Sequence, residues 1–336
     1  MPAPEGRALP TLTAWRPRLG PDFLAVALGM LWVGDAMLQL QPRMFTPAFA
    51  GQVLYSTALM YQPPGLSGFL FAVARLEAAN LTATTLLIAA VQLVVGAALL
   101  WPPTRRAGLV ASAAWASAVW VLGEGMGFLA TGTASLWSGA PGAALIYLAL
   151  SLLALRGRSH PASWLRTGTW LWSVYWGTGA LLDLAWRYPP WAVMAYNLQS
   201  AAQSAPGPLQ SVDYELARMA FQLQWPVVLA FTAGYLFLAA AIWNKTLRRP
   251  ALTVGLLLLS AFWVLGQGLG GVFTGVATDV NTAPLMALLA AVLLGSTGSA
   301  QPADAPEGGP TAKKRDPAMT YSPTPLPGQY HRRWRA

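Results

Sequence analysis

One stretch of this chain is written twice, and the copy preserves polar residues inside otherwise apolar segments. Trp120-Val121-Leu122-Gly123-Glu124-Gly125-Met126-Gly127 returns as Trp263-Val264-Leu265-Gly266-Gln267-Gly268-Leu269-Gly270, and both copies run on to a Thr-Gly pair, Thr131-Gly132 and Thr274-Gly275. The spacing is 143 residues (263 − 120). The same offset pairs Pro63 with Pro206, Arg75 with Arg218, Arg105-Arg106 with Arg248-Arg249, and Pro141 with Pro284. A slightly longer offset pairs Asp35 with Asp183. A unit of this length is far larger than a solenoid repeat, so the pattern predicts a doubled domain of the kind that builds membrane proteins from two related halves.

The apolar runs say what each half is made of. Hydrophobic residues are 55% of the chain and charged ones 10%, and several runs exceed the roughly 18 residues that mark a bilayer-spanning helix. The expectation is an all-α, polytopic transmembrane helix bundle. Eight spans fall at about 22–41, 80–101, 107–130, 141–156, 168–187, 224–243, 251–274 and 283–297. They form two parallel four-helix repeats, 22–156 and 168–297, and the fourth and eighth spans are short enough to be re-entrant.

Lys and Arg placement sets the orientation, because short loops rich in them stay cytoplasmic. With the N-terminus inside, seventeen of the 21 basic residues fall on inner segments, and only Arg43, Arg75, Arg187 and Arg218 on outer ones. Both termini are therefore expected in the cytoplasm, and the protein in the cell membrane. The flanks read as a cytoplasmic lead (1–21), a basic linker (157–167) and a disordered basic tail (298–336), the last too poor in apolar surface to order itself. The outer excursions, 42–79 and 188–222, are too patterned for bare loops. Thr46-Pro47 and Pro189-Pro190 open helices, and Pro63-Pro64-Gly65 and Pro206-Gly207-Pro208 break them, giving two short outer helices per half.

A net charge of +9 would suggest nucleic acid in a soluble protein. Here inner-loop placement accounts for it, and anionic membrane lipids are the expected partner. The chain has no cysteine, and its two histidines, His160 and His331, lie outside every predicted span. Thiol redox chemistry and a bis-histidine haem within the bilayer are excluded, no metal is expected, and no cofactor ligand set is recognisable.

Of the polar residues inside predicted spans, four are the site candidates: Asp35, Glu124, Asp183 and Gln267. Each lies about 20 to 25 Å along its helix at 1.5 Å per residue, in the outer half of the bilayer. Acids at such depth usually face a bundle interior or an aqueous cavity, so the expectation is one shared outer pocket. Arg75 and Arg218 are the expected compensating charges, Arg75 for Asp35 and Arg218 for Asp183. Two plainer uses compete: structural ion pairs for the aspartates, and a hydrogen bond to a neighbouring helix for Glu124. Gly123 and Gly127, like Gly266 and Gly270, are expected on one helix face, where they permit close helix approach. Trp120 and Trp263, four residues before Glu124 and Gln267, would give that face an aromatic wall.

Gln92-Leu93-Val94-Val95-Gly96-Ala97-Ala98-Leu99-Leu100, followed by Thr104-Arg105-Arg106-Ala107, resembles the DoxX-like group of small four-helix membrane proteins. Four spans per unit, cytoplasmic ends and a basic turn between spans two and three are similar too. The fused tandem also resembles an uncharacterised bacterial membrane family. The DoxX-like resemblance implies a membrane subunit serving extracytoplasmic or quinone-linked redox chemistry, with a quinone or lipid as ligand and a redox partner subunit carrying the electron-transfer centre. Two other readings stay open: a proton- or cation-coupled small-molecule transporter, and a non-catalytic membrane scaffold.

Overall fold

Proline opens helix after helix in this chain, because its fixed φ suits the first turn and its missing N–H is not needed there. A computed structural model describes residues 19–161, 163–184 and 187–296, and among these it contains helices and no strand. The first half carries α1 (Pro21–Gln39), α2 (residues 47–59, widened to a π-type turn over Ala50–Tyr55), α3 (Pro64–Ala79), α4 (Leu81–Leu100), α5 (Arg105–Leu122) and α6 (Ala143–Ser159). The second half carries α7 (Trp164–Asp183), α8 (Pro190–Ser204), α9 (Gly207–Leu223), α10 (Trp225–Ala241), α11 (Arg248–Gly266) and α12 (Thr282–Ser296).

The starts of four helix pairs are 143 residues apart: 164 − 21, 190 − 47, 207 − 64 and 248 − 105. For α4 and α10 the figure is 144 (225 − 81), and for α6 and α12 it is 139 (282 − 143). The loop before the last helix is therefore four residues shorter in the second half. Pro141 consequently has Val280 as its counterpart rather than Pro284: the Trp120 indole donates to the Pro141 carbonyl at 2.8 Å, and the Trp263 indole to the Val280 carbonyl at 2.9 Å.

α1 lies along α4 and α7 along α10, α5 packs on α6 and α11 on α12, and α6, α7 and α12 meet between the halves. α1 and α4 approach most closely where Gly29 faces Gly96, and a Cβ on either would come within 3.0 Å of the other's carbonyl oxygen. At one end of α1, Asp22 pairs with Arg105 at 3.2 Å and with Arg158, which ties α1, α5 and α6 together. One hydrophobic core runs through both halves, and its largest buried side chains include Trp172, Trp176, Tyr147, Tyr235 and Phe262.

Two expectations change here. The third and seventh spans, expected to reach 130 and 274, end at Leu122 and Gly266. Beyond them Gly125, Met126 and Gly127 take φ of +53, +57 and +62°, and Gly268, Leu269 and Gly270 take +53, +57 and +69°. Left-handed backbone cannot continue a right-handed helix. Gly123 and Gly127 thus share no helix face. Gly127 instead backs onto the Pro141 carbonyl, where no Cβ would fit.

By length and composition, α1, α4 and α11 could each cross a bilayer. α9 and α10 would qualify together but are bent by 104° at Gln224, whose φ is +52°. Of the expected flanks, the tail 298–336 and residues 1–18 of the lead lie outside the described residues. The expected linker is largely helical, since α6 runs to Ser159 and α7 begins at Trp164.

Candidate functional site

The two halves exchange loops. Residues 135–142, which belong to the first half by sequence, send Leu136 and Trp137 into the second: the Trp137 ring lies 4.6 Å from Phe262 and 5.1 Å from Phe231. The corresponding loop of the second half returns the exchange, placing Val276 against Met44 and Phe49. Two arginines fasten the crossing. Arg43 donates to the Thr274 carbonyl at 2.7 Å, its stem lying over Gly275, and the stem of Arg187 lies over Gly132.

This crossing brings Thr278 and Asp279 to a hollow of about 260 Å³ inside the first half, walled also by Trp32, Asp35, Trp115 and Tyr147. Asp35 is fully buried. Its Oδ2 accepts from the Tyr147 hydroxyl at 2.6 Å, while its Oδ1 has no partner. Trp32 stacks on Tyr147 with ring centroids 4.2 Å apart and donates to Ser112 at 2.8 Å, which fixes both rings. Gln39, Gln92 and Trp115 each present a buried, unpartnered polar atom on the same wall. Buried polar atoms normally have partners, so such a group on one hollow marks it as a place for a polar ligand or water.

Glu124 has two roles built into one carboxylate. Oε1 accepts the backbone N–H of Ala144 at 2.9 Å, in the first turn of α6, where a helix leaves N–H groups unsatisfied and carries partial positive charge. Oε2 has no partner and lies against Gly142, where a Cβ would collide with it. Gln267 does the matching job in the second half: its Oε1 accepts from Ala283 N at 3.2 Å, and its amide donates to the Leu136 carbonyl at 3.3 Å. Both polar atoms of the glutamine amide have a partner. The carboxylate has one oxygen without.

Asp279 sits in the loop before α12, where burial pushes its carboxyl up from the ordinary range and bonds from the Asn281 N–H and Thr278 hydroxyl hold it down. Glu77 of α3 also reaches the hollow, and burial pushes its carboxyl up. No Lys, Arg or His among the described residues lines the hollow. A phosphate or carboxylate would meet acids and no compensating cation there. A neutral or cationic polar group would find several acceptors and an indole donor. The hollow's lining includes Leu87 of α4 and Leu122 of α5, 63% and 40% exposed.

A second cavity of about 320 Å³ shares Val53, Gly123, Glu124, Ala143, Thr278 and Asp279 with the hollow. It shares Met60, Tyr196 and Ser200 in turn with a wide groove of about 890 Å³ bordered by Arg43, Gln52 and Gln203.

Of the residues singled out from sequence, Asp35 and Glu124 come together. Asp183 does not join them. It is the last residue of α7, nineteen beyond the start, whereas Asp35 is fourteen beyond the start of α1 (183 − 164 against 35 − 21). That difference sets it about 7.5 Å further along its helix. It borders only a slight cavity of about 10 Å³, and Thr232 donates to it at 3.2 Å. The expected ion pairs also fail: Arg218 binds Glu215 at 2.6 Å, and Arg75 lies on an exposed face with no acid beside it. A helix-surface arginine reaches a neighbour three residues away more easily than a buried acid beneath it. Trp120 and Trp263 anchor loops through their indole N–H groups rather than forming a free aromatic wall.

Asp279 and Tyr147 were not legible as site residues. Asp279 sits just before an apolar run, where an aspartate ordinarily signals a helix start, and Tyr147 belongs to an apolar helix where it reads as packing. Comparison with known proteins finds no matching family, no similar characterised protein and no similar solved structure.

Proposed function

We propose an integral membrane protein with eight spans arranged as two parallel four-helix units, each with two short outer helices, and with both termini in the cytoplasm. The constant helix offset and the sequence repeat support this reading, as does the location of Arg105 and Arg158 at the end of the bundle away from the hollow. In it, the hollow is a binding site in the outer leaflet for the polar head of a lipid-soluble molecule. The apolar tail lies along the exposed Leu87 of α4 and Leu122 of α5.

A quinone or quinol head fits the chemistry of the wall. Its carbonyls accept hydrogen bonds, for which the Trp115 indole is free, and its hydroxyls donate, for which Asp35 and Glu124 have free oxygens. The function proposed is therefore a membrane subunit serving quinone-linked, extracytoplasmic redox chemistry, as in the DoxX-like group. The redox centre would be carried by a partner subunit. The observation that carries this reading is the set of unpartnered buried atoms, Asp35 Oδ1, Gln39 Oε1, Gln92 Oε1, Trp115 Nε1 and Glu124 Oε2, on residues that line one hollow with no basic residue among the described ones.

The test is to purify the protein from its membranes in lipid nanodiscs, extract the bound lipids and identify them by mass spectrometry. The expected result is a quinone or another neutral or cationic amphiphile retained by the wild type and depleted at least tenfold in Asp35→Asn/Trp115→Phe. A preparation with no enriched amphiphile, or with only anionic lipids, overturns it. The shared wall at Glu124 and Asp279 favours a second reading, a proton-coupled transporter, in which the head itself crosses that wall. Uptake of a candidate amine into proteoliposomes that requires a proton gradient and is lost in Glu124→Gln would select it.

A further inference from the structure

Two cavities that meet at one carboxylate pose a chemical question: what passes between them. The hollow is lined by the exposed Leu87 of α4 and Leu122 of α5, and the second cavity, the chamber, shares Met60, Tyr196 and Ser200 with the wide groove. Glu124 is on the wall of both. Its position there is over-determined. Oε1 is held by the first turn of α6, the left-handed backbone at Gly125, Met126 and Gly127 turns the chain away beneath it, and the missing Cβ of Gly142 leaves the space that Oε2 occupies. Asp279, on the same two walls, is held by Thr278 and Asn281.

We propose that Glu124 is a proton-exchange residue between the two cavities. A proton leaving an O–H or N–H group of an occupant in the hollow adds to Glu124 Oε2, giving the neutral acid. It then passes from that acid to solvent in the chamber and on to the groove, which restores the carboxylate. Asp35, bonded to Tyr147 and bare at Oδ1, holds the occupant by accepting a hydrogen bond from it and does not take up the proton. Asp279 lies on the shared wall. The occupant keeps its place while its proton leaves by the groove. This deepens the reading of the hollow as a ligand site and rests on it.

The titratable groups facing Glu124 across these cavities are Asp35 of α1, Glu77 of α3, Tyr147 of α6, Tyr196 of α8 and Asp279. No basic side chain among the described residues lines either cavity. In the second half the equivalent of Glu124 is Gln267, which cannot exchange a proton and has a partner at both polar atoms. The exchange is thus confined to one half.

The absence of cysteine makes the compartments directly testable. In right-side-out vesicles, Val53→Cys on the shared wall should react with a membrane-impermeant cationic thiol reagent. Thr84→Cys, in the hollow alone, should react only with a lipid-soluble maleimide. Labelling of Thr84→Cys by the impermeant reagent as fast as Val53→Cys would overturn the division.

Proton exchange itself is read by infrared spectroscopy of reconstituted vesicles during steps of external pH. Wild type should show a protonated-carboxyl band that follows external pH with the interior buffered. Glu124→Gln should lose the band while keeping wild-type helix content, since Gln267 shows that an amide can cap the helix in this setting. A band that responds only after an ionophore is added, or one that survives in Glu124→Gln, overturns the proposal. If the amphiphile still co-purifies in that case, the ligand site stands and the proton route alone has failed.

Discussion

The hollow of the first half and the place 143 residues further along the chain are filled in opposite ways. At the 143-residue offset, Gly29 corresponds to Trp172, Val33 to Trp176, Gln92 to Tyr235 and Val119 to Phe262. The second half packs those four rings together: Trp172 lies 5.6 Å from Trp176, and Trp176 lies 5.5 Å from Tyr235 and 6.2 Å from Phe262. The loop exchange follows the same division. The first half contributes Trp137 to the filled side, and the second contributes Asp279 to the open one. One half is thus close-packed with aromatic rings while the other keeps space and ionisable groups.

The comparison breaks most readily at the filled side. Trp176→Ala removes a fully buried ring from the aromatic cluster and should cost about 3 to 5 kcal/mol, seen as a large drop in melting temperature in nanodiscs or as failure to accumulate. Converting the open side toward the filled one, with Gln92→Tyr/Val119→Phe, should leave the melting temperature unchanged or raised while bound amphiphile falls at least tenfold. A wild-type ligand content in that variant would show that the hollow is not the site.

Replacing Glu124 separates its two oxygens. Glu124→Ala removes the bond to the Ala144 N–H and should destabilise by about 1 to 2 kcal/mol. Glu124→Gln, the residue that the other half uses, should cost less than about 1 kcal/mol. Equal losses would mean that the cap is not what Oε1 supplies.

The outer helices offer a pH test. Asp213 of α9 is closed to solvent, although it lies near the surface, and neither of its oxygens has a partner. Burial pushes its carboxyl from 3.8 to about 6. The folded state therefore holds this proton more tightly than the unfolded chain. Stability is highest below roughly pH 4, falls as pH rises to about 6 and is flat above. Asp213→Asn should remove that slope and stabilise the fold above pH 6 by about 1 to 2 kcal/mol, measured as melting temperature against pH. The smallest effect is expected for Arg43→Ala, which loses the bond to Thr274 and should cost about 1 kcal/mol.

Much of the scaffold was legible because it depends on local chemistry. Pro47 and Pro190 start helices as expected, Pro64, expected only to break one helix, also starts the next, and apolar runs of 17 to 20 residues become helices of that length. The repeat carried the register from one half to the other. What local chemistry could not reveal was where the repeat slips. The copied sequence around Glu124 and Gln267 looked helical, since nothing in Gly-Glu-Gly-Met-Gly announces a run of four left-handed residues, 125–128 in one copy and 268–271 in the other. The four-residue difference in the following loop was hidden by a chance match of Pro141 with Pro284.

The sequence by itself determined an all-helical, strongly apolar chain with one motif written twice and a few acids placed deep in it, because hydrophobic periodicity, proline and glycine act within a turn or two of where they stand. Only the tertiary structure decided which acids meet. Asp35, Glu124 and Asp279 are separated by 89 and 155 residues (124 − 35 and 279 − 124) and come from both halves, and what joins them is a crossing of two loops. Such a crossing is set by long-range packing of Trp137, Val276 and Arg43 against the opposite half, and long-range packing leaves no period in the sequence.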